Sequence, residues 1–135
     1  MTPNASRTPL WLRLAGILLS GLGLLWLPFE DSHTHTVLAL GSLTCVWFGL
    51  YFLHPIQVDS WKGFALHILA GTLAGMAVIP ITLLLMALKT GLHAHPQPDF
   101  SGLQITSLLN RLPIWTTTGL VVGLALGWWR YQKSQ

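Results

Sequence analysis

Two short stretches carry paired histidines: "EDSHTHT", residues 30–36, and "GLHAHPQPDF", residues 91–100. His33, His35, His93 and His95, with Glu30, Asp31 and Asp99 nearby, offer the donors that zinc or copper(II) accepts, since neutral imidazole suits both metals. One helical face cannot present both rings of an H-x-H pair, because neighbours two apart diverge around the helix. A metal site here therefore requires extended loops and requires the two loops to meet. Copper transport is disfavoured by the methionines: Met76 and Met86 are isolated, and no run of soft ligands is present. Without a metal, the pairs read as polar loop residues at a wet interface.

The same residues allow a haem reading, in which facing helices supply axial histidines at equal depth. His35 with His93, or His54 with His67, are the two pairs to consider. Among the six histidines, only His67 falls clearly inside an apolar stretch. No Ser/His/Asp order, glycine-rich phosphate loop or pair of carboxylates on one helical face is present, so an enzyme is not expected. The leading reading requires no cofactor.

The elements that would hold these residues follow from composition. Of the 135 residues, 52% are apolar and 8% are charged, whereas an ordinary soluble domain carries about 25% charged residues. Four apolar stretches, residues 10–29, 37–53, 64–88 and 112–129, approach the roughly 17–25 residues that an α-helix needs to cross a bilayer. The expected fold is an all-α integral membrane protein, one domain over residues 1–135, with four transmembrane helices in a bundle. The longest connection, the 23 residues from Lys89 to Arg111, contains the capping-box pattern "SGLQ" at 101–104. Ile105, Leu108, Leu109 and Leu112 then share one helical face, opposite Gln104, Thr106, Ser107, Asn110 and Arg111. A short interfacial helix over about 101–111 is expected in this outer loop.

Arg7, Arg13, Lys62, Arg130 and Lys133 fall on one side of the four spans, Lys89 and Arg111 on the other. Lys and Arg accumulate on the cytoplasmic side of short loops, so both chain ends are expected there, in a bacterial inner membrane or an organellar equivalent. The first span carries the basic flank of a secretory signal but no small-residue cleavage site, and it is read as an uncleaved helix. The net charge of +3 suits anionic lipid and gives no reason to expect nucleic acid. Cys45 is unique and reads as a packing residue.

Chain length and span number invite comparison with the small multidrug transporters, which couple proton and substrate through an embedded glutamate. All four acidic residues, Glu30, Asp31, Asp59 and Asp99, lie outside the spans, so that coupling group is missing. Small residues spaced four apart mark packing faces: Gly16 with Ser20, Gly41 with Cys45 and Gly49, Gly71 with Gly75, and Gly119 with Gly123 and Gly127. These faces serve either an intramolecular bundle or docking on another membrane protein or a second copy. Pro80 removes a backbone hydrogen bond inside the third span, with Thr82 as one candidate to meet the freed carbonyl. The leading expectation is an accessory or assembly subunit of a membrane complex that acts through helix packing. Its alternative is a zinc, copper or haem b binder using the outer histidines.

Overall fold

The computed structural model describes residues 8–29, 33–56, 58, 60–93 and 99–134. Among them are five α-helices and no strand: α1 (Leu10–Trp26), α2 (Thr34–Leu53), α3 (Trp61–His93), α4 (Gly102–Leu109) and α5 (Leu112–Ser134). Thr34–Leu53, Trp61–Leu92 and Gly102–Ser134 are each long and apolar enough to cross a membrane, while Leu10–Trp26 is a shorter apolar helix. The apolar runs expected over 37–53, 64–88 and 112–129 are helical throughout, whereas the first, expected over 10–29, is helical to Trp26 and turns at 27–29, where Pro28 cannot continue the hydrogen-bond ladder. Several helices outlast their apolar segments: α3 reaches His93, and α5 reaches Ser134. A helix continues past its apolar stretch because its hydrogen bonds are internal and do not depend on what surrounds it.

The helices are organised around α3. Its contact with α5 is the most extensive in the molecule, α2 packs on α3 as well, and α1 rests mainly on α2. The reason lies in the glycines. A Cβ added at Gly71 would stand 2.5 Å from the Gly119 carbonyl oxygen and 2.7 Å from the Gly123 Cα. One added at Gly123 would stand 2.6 Å from the His67 carbonyl oxygen and 3.1 Å from the Ile68 Cα. The obstacles are backbone atoms, which have no rotamer by which to move aside. Gly75 and Gly119 meet the opposing backbone in the same way. The small residues of α3 and α5 therefore face each other, and the two helices run antiparallel at backbone contact.

The other small residues are also used inside the chain. The Trp47 ring occupies the space that a Gly16 side chain would need, and its Nε1 donates to the Leu12 carbonyl at 2.8 Å. Gly41 admits Thr82 from α3. Thr82 donates to the Val78 carbonyl at 2.7 Å, so it does not meet the carbonyl of Met76, the group freed by Pro80, and α3 runs unbroken through that proline. Ser20 is exposed and supports no packing face.

The main apolar cluster includes Trp26, Val37, Leu38, Val78, Ile79, Met86, Phe100 and Leu108, so it lies toward the ends of α1 and α3 and the starts of α2 and α5. Helix α4 joins it through Leu108, which is fully buried. Ser101 caps α4: its Oγ accepts from the Gln104 N–H at 3.3 Å, and Gln104 Oε1 accepts from the Ser101 N–H at 2.7 Å. The helix is shorter than expected, 102–109, because Asn110 and Arg111 form the turn that leads into α5. Its apolar face is only partly covered, since Ile105 and Leu109 remain exposed beside the buried Leu108.

Backbone contact without intervening side chains predicts strong position dependence. Gly119→Leu should destabilise the protein by about 1–3 kcal/mol or more through overpacking. Gly21→Leu, where nothing lies within 4 Å of an added Cβ, should leave the unfolding midpoint in detergent unchanged. Equal effects of the two substitutions would contradict the α3–α5 seam.

Candidate functional site

The outer histidines are only partly within the described residues. His33 precedes α2, His35 lies in its first turn, and both are exposed. Thus His35 belongs to a helix, not to the extended loop that a paired site requires. His93 is the last residue of α3, and His95 lies outside the described residues, as do Glu30 and Asp31. No group of three or more potential metal ligands occurs among the described residues. Because α2 and α3 pack antiparallel, His35 and His93 do fall at the same end of the molecule.

The inner histidine is fully engaged by protein. His67 is wholly buried. Its Nδ1 lies 2.9 Å from the Gly63 carbonyl oxygen, and its Nε2 lies 3.1 Å from Arg130 Nη1. A guanidinium only donates, so Nε2 is the acceptor and Nδ1 carries the proton. Both ring nitrogens of this neutral imidazole are used. Coordination of a haem iron by Nε2 would require the guanidinium to leave.

Arg130 joins three elements. The same Nη1 donates to the Leu53 carbonyl at 2.7 Å and lies 3.5 Å from that of Ile56. The Leu53 carbonyl ends α2, where the helix dipole favours a cation, and it also accepts from the Ile56 N–H at 3.1 Å in the turn that follows. One side chain from α5 therefore caps α2 while it orients a histidine of α3. Ser134 extends this junction by donating to the Val58 carbonyl at 3.0 Å.

A second cation, this one buried, occupies the opposite end. Lys89 is 1% exposed; its Nζ donates to the Phe29 carbonyl at 2.5 Å and lies 4.0 Å from the centre of the Trp26 ring. It ties the chain just beyond α1 to α3. Charge counting along the sequence sets Lys89 among loop charges that flank a span, but the structure puts it inside α3 and buried. A long aliphatic stem makes that burial feasible, and the carbonyl and the ring face receive the charge.

Arg130 and His67 were legible as partners in principle. His67, Gly71 and Gly75 are spaced four apart, and so are Gly119, Gly123 and Gly127, with Arg130 three further on. Residues so spaced share a face, so the cation and the imidazole lie on the two stripes that meet. For Lys89 no comparable spacing was available, because its acceptor is a backbone carbonyl in the turn after α1.

The five glycines expected at a packing interface, Gly71, Gly75, Gly119, Gly123 and Gly127, all lie between α3 and α5. Gly127 ends the seam, where an added Cβ would meet Phe64 at 3.0 Å and His67 Cβ at 3.2 Å. The glycine face of α5 is thus covered by α3. Any partner must use another surface. No known protein family, curated protein or solved structure matches this chain.

The two cation junctions should fail locally. His67→Ala leaves Arg130 without its side-chain acceptor, at a cost of about 1–3 kcal/mol, and should raise amide exchange at His54 and Ile56. Lys89→Met should instead raise exchange at Leu27 and Phe29. Exchange that rises equally at both ends in either variant would contradict two separate junctions.

Proposed function

We propose that this chain is a four-span integral membrane protein, with Leu10 and Ser134 on the cytoplasmic side, that serves as an accessory or assembly subunit of a larger membrane complex. The observation that carries the reading is the extent of apolar side chain left uncovered on every long helix. Ile17, Leu18, Phe52, Leu69, Leu84 and Val121 are each more than half exposed. Contiguous apolar surface on this scale fits lipid or protein as its surroundings and not water. The first span, at 17 residues, stands at the lower limit of a crossing helix.

With the α5 glycines used internally, the surface offered to a partner is α4. Ile105 and Leu109 are exposed on its apolar face, on a helix that contributes only Leu108 to the core, and Leu103, 85% exposed, stands on the opposite side. The capping box fixes where this helix starts, so its apolar side chains are presented in a defined arrangement. Docking there would hold the partner at the outer interface.

A metal-binding role is the second reading. It draws support from α2 starting and α3 ending on the same side, which brings His33, His35 and His93 to one end. Such a site would take zinc or copper(II) from loop and helix-end imidazoles, and it would act independently of α4.

Mild detergent extraction distinguishes the two. The proposal predicts a stoichiometric protein partner that Leu109→Asp reduces by at least about tenfold, a loss of roughly 1.4 kcal/mol of binding. Replacing His33, His35, His93 and His95 with alanine should leave that partner in place. Stoichiometric zinc or copper in the purified protein, lost in the histidine variant, together with no partner, would favour the second reading. Recovery of the protein in the aqueous fraction without detergent would overturn the membrane assignment itself.

A further inference from the structure

A groove of about 120 Å³ runs between α2 and α5 with α3 as its floor; Ser42, Cys45 and Gly49 line one side, Ala74 the base, and Thr118 and Val122 the other side. Its hydroxyls are turned inward to their own helices. Ser42 donates to the Ala39 carbonyl at 2.9 Å, and Thr118 to that of Ile114 at 2.8 Å. What the groove offers is therefore methyl and methylene surface. An apolar lining of this kind is matched by the hydrocarbon of a lipid chain.

One end of the groove is formed by Leu53 and Leu126. Arg130 stands at that end: it is one turn beyond Leu126 on α5, and its Nη1 donates to the Leu53 carbonyl. Every hydrogen bond of Arg130 to the described residues passes through Nη1. A guanidinium has five N–H groups in a planar fork, so its Nε and Nη2 hydrogens remain for a ligand, and the side chain is only partly buried. Charge at this end is complementary to an anion. Arg13, Lys62 and Lys133 belong to the same end, and Asp59, outside the described residues, is the one acidic residue near it in sequence.

We propose that this groove binds an anionic phospholipid, with the phosphate on the unused donors of Arg130 and one acyl chain laid against Gly49, Ala74 and Val122. The phosphate takes a charge-assisted pair of hydrogen bonds, the contact for which a guanidinium is best shaped. The acyl chain fills the trough that α2 and α5 leave because both pack on α3 and scarcely on each other. The lipid would tie the two flanking helices together at the same end as the His67 junction. This inference rests on the membrane assignment above, and its test is separate from the test of that assignment.

The experiment is native mass spectrometry of the full chain in mild detergent, with phosphatidylglycerol or phosphatidylcholine added, each of matched acyl length, and glycerol phosphate as the headgroup without chains. Wild type should retain one phosphatidylglycerol in preference to phosphatidylcholine by at least about tenfold and should not retain glycerol phosphate. Val122→Phe, at an exposed position in the groove wall, should reduce retention by a similar factor with the helical circular dichroism spectrum unchanged. Arg130→Gln should abolish the preference for the anionic lipid; should it not fold, Arg130→Lys, which keeps the charge but not the fork, should weaken the preference without removing it. Equal retention of the two lipids by wild type, or wild-type retention by Val122→Phe, would overturn the proposal. A protein that needs detergent yet retains no lipid overturns the lipid site and leaves the membrane assignment standing.

Discussion

Everything in this molecule depends on the closeness of α3 and α5. Helices at backbone contact are bound by dispersion between surfaces that fit. Glycine provides the closest fit available, because its hydrogen lets one backbone rest on another. Here Gly71 and Gly75 meet Gly119 and Gly123, with His67 and Gly127 continuing the line. Contact at that distance fixes axial register as well as separation. A slip by one residue would drive a side chain into a carbonyl. The register then places Arg130 beside His67, and through Arg130 it positions the end of α2. The remaining helices are arranged around a pair already locked in place.

Electrostatics completes the arrangement at its two ends. The described helices have no acidic residue in their first turns, and the two cations, buried Lys89 and partly buried Arg130, find backbone carbonyls. Arg130 meets the carbonyls that end α2, and Lys89 meets a carbonyl just beyond α1. A buried charge is costly unless its donors are matched, and carbonyl oxygens left over at helix ends are the groups available for that purpose. Each cation thus gains carbonyl acceptors near a helix end, the Leu53 carbonyl accepting from the Ile56 N–H as well, and each ties a loop end to a neighbouring helix. Histidine 67 extends one junction by giving Arg130 an acceptor on a third helix. The result is a molecule closed by polar contacts at both ends and by apolar contact between them.

Much of the fold was legible in the sequence, and the reason differs from element to element. The long apolar helices are legible because composition decides them over many residues. The start of α4 is legible because Ser101 and Gln104 form a local motif that needs no tertiary partner. Which glycine stripe pairs with which is not legible from either stripe alone, since small-residue spacing suits an internal seam and an external partner equally. The burial of Lys89 escaped the sequence reading because charge counting treats every Lys near a span end as solvated. What captures it is a tertiary carbonyl, the Phe29 carbonyl sixty residues away in sequence. The paired histidines were the most conspicuous motif, yet His33 and His35 lie exposed at the head of α2, while the histidine most tightly held is the lone His67.

The most direct test of the account is solid-state NMR of the protein in lipid bilayers with carbon-13 placed only at glycine Cα. Packing at backbone contact predicts cross peaks that join Gly71 to Gly123 and Gly75 to Gly119, between helices far apart in sequence, while Gly21 and Gly23 show none to other helices. Absence of every cross peak between α3 and α5 glycines, in a sample whose helices are otherwise intact, would contradict the seam and with it the register that brings Arg130 to His67.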